Sequence, residues 1–420
     1  MAKSNGYFVG LDLGSYRTRC LVAVEEDSHL RFISHGSAPS QGWARGVIAD
    51  QEPVLASVEA AIEEAERNGG LVIDAAVVGV GGGHISSNVC HSYVNLPARG
   101  GEIGSEHVEN LFKAASQAPL SDDRTVIQVV PLEFTVDRQG TVKNPRGMKG
   151  RRLDGHAQLV SAAAHAHSNI HAVVNRAGIV VEETVFEAFA AAQAVLEEQE
   201  RELGVAVADM GSGSVDLVVY LENKLWLATG VAIGGDHFIN DVAEVMHTSR
   251  ADAEMLIQQC GCAVVDETPS NVSVEVPNLL DGQPQTYPRR LLNGILQARA
   301  EELFKMMGEE LRRIGVHDRL IGGLVLTGGL AALAGGCDAA EDVLDCSARI
   351  GLPLRIEGLP EELDQPGWAT ALGLVLYGQR LRLHGRGRRE KARDWLKAIF
   401  RLRAGQHSRE RGTTRWQMKA

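Results

Sequence analysis

The sequence lacks several features that would place the protein in a membrane or outside the cell. No apolar run reaches the roughly 18 residues needed to cross a bilayer. The first residues, MAKSNGYFVG, lack the apolar core of a signal peptide. The six cysteines show no CxxC pair and no metal-ligand spacing. We therefore expect a cytosolic protein with reduced thiols.

Charge is distributed unevenly along the chain of 420 residues, whose formal net charge is −12. From residue 380 to 420 there are 14 Lys and Arg against three Asp and Glu, whereas the residues before this tail carry a net −23. A basic tail on an acidic body predicts an anionic partner for the tail alone. The length and a hydrophobic content of 44% predict two to four structural domains with substantial cores.

Two similar Gly/Ser loops, each preceded by an aspartate, lie between apolar runs typical of strands. In residues 205–220, VAVADMGSGSVDLVVY, the loop after Asp209 offers backbone N–H groups and hydroxyls that suit a phosphate. Asp209 could then hold the accompanying Mg²⁺, directly or through water. An ordinary glycine hairpin explains this segment alone equally well. The same pattern at Asp12-Leu-Gly-Ser15 favours two homologous half-domains that face each other.

A third element is a buried-type strand that ends in a glycine pair, Leu324-Val-Leu-Thr-Gly-Gly-Leu330. Glycines there let the backbone approach a flat ligand such as a purine or ribose. In this order the three elements resemble the superfold of actin, Hsp70 and sugar kinases, in which two phosphate hairpins and a Gly-Gly loop close over ATP and Mg²⁺. Segments rich in small residues at 185–196 and 369–377 resemble the two connecting helices of that superfold.

A small module of its own precedes the second Gly/Ser loop. Strand-like, helical and again strand-like patterns follow one another from residue 83 to 164 and predict an inserted α/β unit. His84 and His156 lie in this segment, but no acidic or cysteine partner stands at ligand spacing. We therefore favour structural or surface roles for both histidines over a metal site.

The basic tail contains an amphipathic pattern at residues 392–404. At about 100° per residue the apolar side chains share one side and most charged side chains lie opposite. A helix of 13 residues is too short to span a bilayer, but its large aromatic face is typical of a helix in the membrane interface. Packing on the body and binding nucleic acid are the alternatives; we favour the membrane and expect no nucleic-acid partner. The predicted membrane-binding residues are Trp395, Leu396, Lys397, Ile399, Phe400, Arg401 and Leu402.

Together these features resemble the FtsA family, actin-like proteins that tie the bacterial division ring to the membrane. The resemblance covers about residues 7 to 404, and the inserted module and the tail helix make it specific within the superfold. It implies an α/β, two-lobed actin-like (ribonuclease H-like) fold with an inserted small α/β subdomain, 1C, and a C-terminal amphipathic helix. The implied division is 1–82, 165–203 and 370–383 in subdomain 1A, 83–164 in 1C, 204–236 and 310–369 in 2A, 237–309 in 2B, 384–391 as a flexible linker, 392–404 as the membrane helix and 405–420 as a basic tail.

The resemblance also implies ATP with Mg²⁺ as the ligand. Asp12 and Asp209 would face the Mg²⁺, and Glu254 resembles a helix residue that reaches the ribose and base. Ile257 stands where relatives commonly carry a lysine, a departure at one nucleotide contact. The other nucleotide contacts implied are Gly14, Ser15, Arg17, Gly211, Ser212, Gly213, Ser214, Gly328 and Gly329.

Hydrolysis would need a group that orients the attacking water. Gln193 stands where actin keeps such a glutamine, and a helix glutamine without a catalytic role is the alternative. With no other base evident in the sequence, we expect a nucleotide switch or a slow ATPase.

The function implied is that of a polymerising adaptor on the cytoplasmic side of the cell membrane at midcell. Its partners would be the C-terminal peptide of FtsZ, bound by subdomain 2B, other division proteins and an anionic membrane surface. Further copies of the chain would form a head-to-tail filament through residues 83–164. Two alternatives stay open. One is a pilus-assembly adaptor similar to PilM, which has a similar module but needs no tail helix; the other is a sugar or acetate kinase, for which we find no substrate-site signature.

Overall fold

The computed structural model describes residues 6–27, 29–97, 100–265, 271–279 and 282–382. Within these ranges the chain forms two lobes, each built on a five-stranded mixed sheet, and a smaller module inserted in the first lobe. The predicted membrane helix at 392–404 and the basic tail at 405–420 lie outside the described residues.

The first lobe begins with a long hairpin, a third antiparallel strand and a covering helix. These elements are β1 (Tyr7–Leu13), β2 (Arg17–Glu26), β3 (His29–Pro39), the short pair β4 (Trp43–Ala44) and β5 (Val47–Ile48), α1 (Gln51–Gly69) and β6 (Ala75–Val80). β1 is mostly apolar because it lies inside the sheet, between parallel β6 and antiparallel β2. α1 begins after Asp50, whose carboxylate accepts the Glu52 N–H, and ends at Gly70, where φ is 60°.

The inserted module follows β6. Its elements are β7 (Ser86–Asn95), β8 (Gly101–Glu102), α2 (Ser105–Ser116), β9 (Arg124–Val136), β10 (Gln139–Val142), β11 (Lys149–Gly150) and β12 (Arg152–Ala163). Four strands form an antiparallel sheet in the order β10-β9-β12-β7, and α2 packs on it. Leu111 of α2, Phe134 and Leu153 belong to a separate small core. A core of its own is what the predicted inserted unit requires.

The chain then returns to the first lobe. The elements are α3 (Ala164–Arg176), β13 (Val180–Phe186) and α4 (Glu187–Val195), and the complete first sheet has the order β13-β6-β1-β2-β3. α4 begins at Glu187 rather than at the predicted Val185, because Val185 and Phe186 still pair with β6. This start places Glu187 in the first turn of α4, at the end of β13.

The second lobe repeats the strand order of the first. Its elements are α5 (Glu198–Leu203), β14 (Val205–Met210), β15 (Val215–Leu221), β16 (Lys224–Val231), α6 (Gly235–Val245), α7 (Arg250–Cys260), β17 (Ser273–Pro277), β18 (Pro284–Pro288), α8 (Arg289–Arg313), β19 (Leu324–Thr327), α9 (Gly336–Leu344) and β20 (Ala348–Ile350). Its sheet has the order β20-β19-β14-β15-β16, so β14 and β15 take the places of β1 and β2. The internal repeat in the sequence thus corresponds to two hairpins in equivalent positions.

Two helices cross closely between the lobes: α4 and the helix over residues 369–382, here α10. A Cβ atom at Gly373 would lie 1.9 Å from the carbonyl oxygen of Ala190, a distance that no side chain tolerates. Gly10 of β1 is equally confined, because its Cβ would lie 2.3 Å from the carbonyl oxygen of Ala371. Glycine at these two positions lets backbone pack on backbone where the lobes join.

The inserted module also contacts the second lobe. Lys224 Nζ, at the start of β16, lies 3.1 Å from Glu133 Oε2 of β9. The Ala228 N–H of β16 donates to Ser87 Oγ of β7 at 2.8 Å, and Gln158 of β12 donates to the same oxygen. The module is therefore continuous in sequence with the first lobe and hydrogen-bonded to the second.

Candidate functional site

The two Gly/Ser loops meet in the gap between the lobes. The Gly213 N–H donates to Ser15 Oγ at 3.0 Å, which joins the second loop to the first. A Cβ atom at Gly213 would lie 2.6 Å from the backbone nitrogen of Gly46. Glycine is therefore needed at residue 213 for the second loop to pack against the turn between β4 and β5, where Gly46 lies.

Around this contact lies a narrow cleft with a cavity volume of about 90 Å³, which opens to solvent. The cleft brings together every predicted phosphate-loop and glycine-pair residue. These are Asp12, Gly14, Ser15, Arg17, Asp209, Gly211, Ser212, Gly213, Ser214, Gly328 and Gly329.

Four carboxylates line the same cleft: Asp12, Glu187, Asp209 and Asp216. They come from β1, from the first turn of α4, from β14 and from β15, so both lobes contribute. Asp12 and Asp216 are 5% and 3% exposed. Carboxylates that crowd in a buried site repel one another in the ionised form, so this arrangement favours a bound cation.

Two adjacent glycines make room for, or bond to, two of these carboxylates. The Gly82 N–H donates to both oxygens of Asp216, at 3.0 and 3.2 Å. A Cβ atom at Gly81 would lie 2.1 Å from Asp216 Oδ2 and 2.2 Å from Glu187 Oε2. The bare backbone of Gly81 therefore lets these two acidic groups reach the cleft side by side.

The other two carboxylates have polar partners. Arg19 Nη1 lies 3.6 Å from Asp12 Oδ2. The Thr370 hydroxyl of α10 donates to Asp209 Oδ2. Gly328 has φ of +82°, and a Cβ there would lie 2.4 Å from Asp209 Oδ1, so only glycine fits. The glycine pair thus leaves open the cleft wall beside Asp209.

The buried positions change the acidity of all four groups. Burial raises the pKa of Asp12 to about 7, against the opposing charge of Arg19 and with Asp209 adding to the rise. Burial also raises the pKa of Asp209, opposed by the hydrogen bond from Thr370. The pKa values of Glu187 and Asp216 lie well above their ordinary range, mainly because of burial, with the neighbouring carboxylates adding to the rise. A divalent cation would lower these pKa values and offset the repulsion.

Glu254 of α7 lies at the rim of the cleft rather than among the residues that line it. Its carboxylate sits beside the hydroxyl of Tyr16, a cleft residue of the first hairpin, and raises the pKa of that hydroxyl. Gln258 donates to Glu254 Oε1 at 3.2 Å. Ile257 packs against the core of the second lobe. Glu254 thus forms a contact between the lobes at the mouth of the cleft, and its contact with a nucleotide stays a prediction.

Gln193 is not brought to the cleft. It is 4% exposed, and its Oε1 accepts hydrogen bonds from Arg380 of α10 and from Arg201. Its Nε2 donates to the carbonyl oxygen of Phe189. These contacts give Gln193 a structural place between α4 and α10, the role that we weighed as the alternative.

Sequence reasoning missed Glu187 and gave Asp216 no role. Asp216 could have been found, because in a hairpin it is the residue paired with Asp209. Glu187 is the one acidic residue of the alanine-rich α4, and an acidic side chain at a helix start has a local structural explanation. No local signal distinguishes that role from a place in the cleft.

The two histidines of the module differ in their side-chain contacts. His156 Nδ1 lies 3.4 Å from Glu133 Oε1, whereas His84 Nδ1 is buried without a hydrogen-bond partner and Arg124 donates only to the His84 backbone carbonyl oxygen, at 3.0 Å. Among the residues that the structure describes, no group of three or more His, Cys, Asp and Glu side chains is arranged to hold a metal ion by itself. Within the same ranges, no helix is long and apolar enough to cross a membrane.

Comparison with known proteins identifies two family models in this chain. The model "Cell division protein FtsA" matches residues 206–373, and "SHS2 domain inserted in FTSA" matches residues 82–161. The second match coincides with the inserted module of the fold.

Curated relatives extend the similarity over nearly the whole chain. The cell division protein FtsA of Escherichia coli (strain K12) is 33% identical over 93% of this chain and 96% of its own length. FtsA of Bacillus subtilis (strain 168) is 32% identical over 91% and 86%. FtsA of Pseudomonas aeruginosa is 32% identical over 90% of each chain.

Solved structures show the same fold at low identity. A PilM-PilN type IV pilus biogenesis complex aligns with a TM-score of 0.61 and 16% identity, over 88% of this chain and 98% of that chain. MreB5 of Spiroplasma citri bound to ADP aligns with a TM-score of 0.50 and 13% identity, over 90% and 96%. The predicted two-lobed actin-like fold with an inserted module is therefore confirmed.

Proposed function

Because the chain belongs to the FtsA family of cell division proteins, we propose that it is an ATP-binding adaptor that polymerises on the cytoplasmic face of the membrane and ties FtsZ to it. The observation that carries the nucleotide part is the cleft in which two Gly/Ser loops and four carboxylates converge. At 16% identity, the fold shared with the PilM complex gives no comparable support for a role in pilus assembly.

The cleft fits Mg-ATP through the chemistry of its residues. The loops present glycine backbone N–H groups and serine hydroxyls, which suit phosphate oxygens. Asp12 and Asp209, with Asp216 beside them, would face the Mg²⁺ through water molecules, because the described carboxylates do not form a ligand set by themselves, and the cation would neutralise charge on the phosphates. The similar fold of MreB5, whose structure contains ADP, supports a nucleotide in this cleft.

Glu187 is better placed than Gln193 for slow hydrolysis. It is the residue of α4 that lines the cleft, whereas Gln193 is held by Arg380 and Arg201. A carboxylate in this position can accept a proton from the attacking water once a cation restores its ionised form. The absence of a positioned histidine or lysine base among the described cleft residues is consistent with a switch or a slow ATPase rather than a fast enzyme.

The surface of α6 and α8 is the proposed site for the C-terminal peptide of FtsZ. An open groove of about 640 Å³ lies between these helices. Val245 and Leu291, which are 47% and 39% exposed, supply apolar surface. Arg299 is held at the rim by Asp241 at 2.6 Å. Apolar surface with a charged rim is typical of grooves that bind short peptides.

The inserted module is the proposed filament contact. β7 is an edge strand of the module sheet and exposes Val89 and Tyr93, 61% and 51% accessible. Edge strands with exposed apolar side chains are prone to pair with another chain. We expect deletion of residues 83–164 to abolish filaments on lipid, seen by negative-stain microscopy, while Mg-ATP binding is largely retained.

The predicted membrane helix at 392–404 lies outside the described residues, and its proposed role rests on the amphipathic pattern and basic charge of the sequence. A partly buried apolar face and about 1 kcal/mol for each basic residue near anionic lipid give weak binding for one copy. A filament links many copies and raises their effective concentration, so assembly and membrane attachment reinforce each other.

Fluorescence imaging in dividing bacteria tests this function. A fusion of the full chain should form a band at midcell, and Trp395→Asp should make the signal diffuse while the purified variant still binds ATP. A wild-type signal at the poles or throughout the cytoplasm contradicts the proposal. Phosphorylation of a sugar or an acyl acid in a small-molecule panel would instead support a kinase.

A further inference from the structure

A groove lies at the C-terminal end of α1, beside Tyr7 at the start of β1. The cleft residue Asp12 lies near the other end of the same strand. The groove is shallow and open to solvent, with a volume of about 720 Å³. Leu71 and Val72, which follow the Gly70 cap of α1, form its apolar surface together with Tyr7 at the start of β1. Val72 is 67% exposed. We call these residues and the adjoining last two turns of α1 the α1 groove.

The charges that line the α1 groove are mainly negative. Glu63 and Glu66 of α1 face it, and Arg67 is the cation among the residues lining it. Glu66 Oε1 accepts the Ile73 N–H at 2.7 Å, which fixes one carboxylate at the groove wall. Glu63 is exposed. A segment that combines apolar and basic side chains would complement this surface.

The described chain ends close to the α1 groove. The guanidinium of Arg382, the last described residue, lies 4.6 Å from the centre of the Phe8 ring, and Arg382 Nη2 lies 3.3 Å from Glu182 Oε1. Phe8 follows Tyr7 in β1, so Arg382 and the groove are at the same end of this strand. They face opposite sides of the sheet, because successive side chains of a strand alternate.

The segment beyond Arg382 is long enough to reach the groove. Nine residues, 383–391, separate it from the amphipathic segment and can span roughly 30 Å when extended. The path around the end of a sheet is about 10 Å, the spacing of packed layers. Residues 383–420 carry 12 Lys and Arg against three Asp and Glu. Their charge is opposite to that of Glu63 and Glu66.

We propose that residues 392–404 dock on the α1 groove of their own chain and that anionic lipid competes with this contact. Trp395, Ile399 and Phe400 would cover Val72 and Leu71, while the basic face would meet Glu63 and Glu66. A tethered segment has an effective concentration on the order of millimolar, so a contact too weak to bind a free peptide is still populated. The docking rests on geometry and charge; its regulatory consequence rests on the proposed membrane anchor.

Photo-crosslinking of the full chain tests the docking without lipid. We would place p-benzoylphenylalanine at residue 72 and, as a control, at residue 321, because Ile321 is similarly exposed, at 74%, in the second lobe. Mass spectrometry should find intramolecular crosslinks from residue 72 to 392–404 and none from residue 321. Crosslinks to residues 1–5, crosslinks between two chains, or no crosslink at residue 72 would each overturn the proposal.

A charge reversal at the groove provides the second measurement. Glu63→Lys should lower the crosslink yield several-fold, whereas Glu59→Lys, exposed on the same helix one turn earlier, should leave it unchanged. Equal yields for the two variants would contradict the charge complementarity. Vesicles containing phosphatidylglycerol should also lower the wild-type yield.

Co-sedimentation with the same vesicles separates this inference from the membrane anchor. At limiting lipid, Glu63→Lys should increase the bound fraction about two-fold, because the tail is released from the groove. A crosslink at residue 72 in a protein that never sediments with vesicles would support docking and refute the anchor. Sedimentation without any crosslink would refute docking and support the anchor.

Discussion

Arg19 and Asp216 occupy equivalent places in the two hairpins, each paired with the aspartate that precedes the Gly/Ser loop. Arg19 lies opposite Asp12 between β1 and β2, and Asp216 lies opposite Asp209 between β14 and β15. The first hairpin therefore carries a cation beside its carboxylate, 3.6 Å away. The second hairpin places two carboxylates together. This asymmetry concentrates negative charge on one side of the cleft, where a metal cation would be most strongly attracted.

Replacement of Asp209 by Ala should weaken Mg-ATP binding without unfolding either lobe. We expect a loss of about ten-fold in affinity, the equivalent of about 1.4 kcal/mol, because one carboxylate facing the cation is removed. Titration calorimetry in Mg²⁺ and in EDTA would measure it, and the difference between variant and wild type should shrink in EDTA. Equal affinity of both proteins for Mg-ATP would remove Asp209 from the site.

Glu187→Gln should reduce ATP hydrolysis far more than it reduces binding. Loss of a group that accepts a proton from water typically lowers rates by about 10²-fold or more. Single-turnover phosphate release would report this. Gln193→Ala serves as the comparison: it should mainly lower stability, because Arg380 and Arg201 lose an acceptor. Slower turnover in Gln193→Ala, with normal turnover in Glu187→Gln, would reverse the assignment.

The nucleotide-free protein should lose stability as the pH rises through about 7. Burial raises the pKa of Asp12 from 3.8 to about 7, so between these values the folded state binds more protons than the unfolded state. The stabilisation is therefore complete below 3.8 and is lost as the pH passes the folded-state pKa. Urea unfolding at pH 6.5 and at about pH 8 would show the decrease.

A narrow window is needed because His84 acts in the opposite direction. Burial lowers the pKa of His84 from 6.5 to about 4. Because the folded state then binds fewer protons than the unfolded state, His84 makes the protein more stable as the pH rises from about 4. This gain in stability is largely complete by pH 6.5. Asp12→Asn should make the profile above that pH less steep, and the raised pKa values of Glu187, Asp209 and Asp216 account for the slope that remains. Saturating Mg-ATP should do the same. An equally steep profile for Asp12→Asn would show that other groups cause the loss.

Gly373→Ala should destabilise the junction of the lobes. The new methyl group would lie 1.9 Å from the Ala190 carbonyl oxygen, so α4 and α10 must separate. Overpacking of this kind costs about 1–3 kcal/mol in the free energy of unfolding. Gly294→Ala in α8 is the matched control, because its nearest neighbour would be 3.8 Å away. Urea unfolding should separate the two variants; similar unfolding curves would mean that the crossing relaxes without cost.

Leu291→Asp should prevent binding of the FtsZ C-terminal peptide to the groove between α6 and α8. Leu291 is partly exposed and apolar. An aspartate there would be buried by the bound peptide without a partner, and removing its carboxylate from water costs binding free energy. Fluorescence anisotropy with a labelled peptide should show at least a ten-fold loss of affinity. Val180→Asp, at an exposed apolar position of the first lobe, should bind normally. Unchanged binding to Leu291→Asp would place the peptide elsewhere.

The local parts of the site could be predicted from the sequence because the chemistry and the turn lie in the same few residues. Gly211 to Ser214 and the glycine pair at 328–329 are examples, and all of them line the cleft. Gln193 was predicted to orient the attacking water by analogy with actin, and the sequence did not show which side of α4 faces the cleft. Six residues along a helix rotate a side chain by about 240°, so Glu187 and Gln193 cannot both face the cleft.

Contacts between distant segments could not be predicted in the same way. Gly81 follows β6 and contacts Glu187 of α4 and Asp216 of β15, so three separate segments are brought together only by the fold. A glycine in the sequence signals conformational freedom, not the identity of the groups that will approach it. The α4 boundary was misplaced for a similar reason, because pairing with β6 kept Val185 and Phe186 in a strand.

The bonds between the inserted module and β16 give the molecule a mechanical linkage. Lys224 and Ala228 belong to the lobe that carries the second Gly/Ser loop, while Glu133 and Ser87 belong to the module. Rotation of one lobe against the other must therefore tilt the module or break these bonds. A ligand that closes the cleft would in this way reorient the edge strand β7 at a distance, and in the proposed filament the chemical state of that ligand would change the angle between neighbouring subunits.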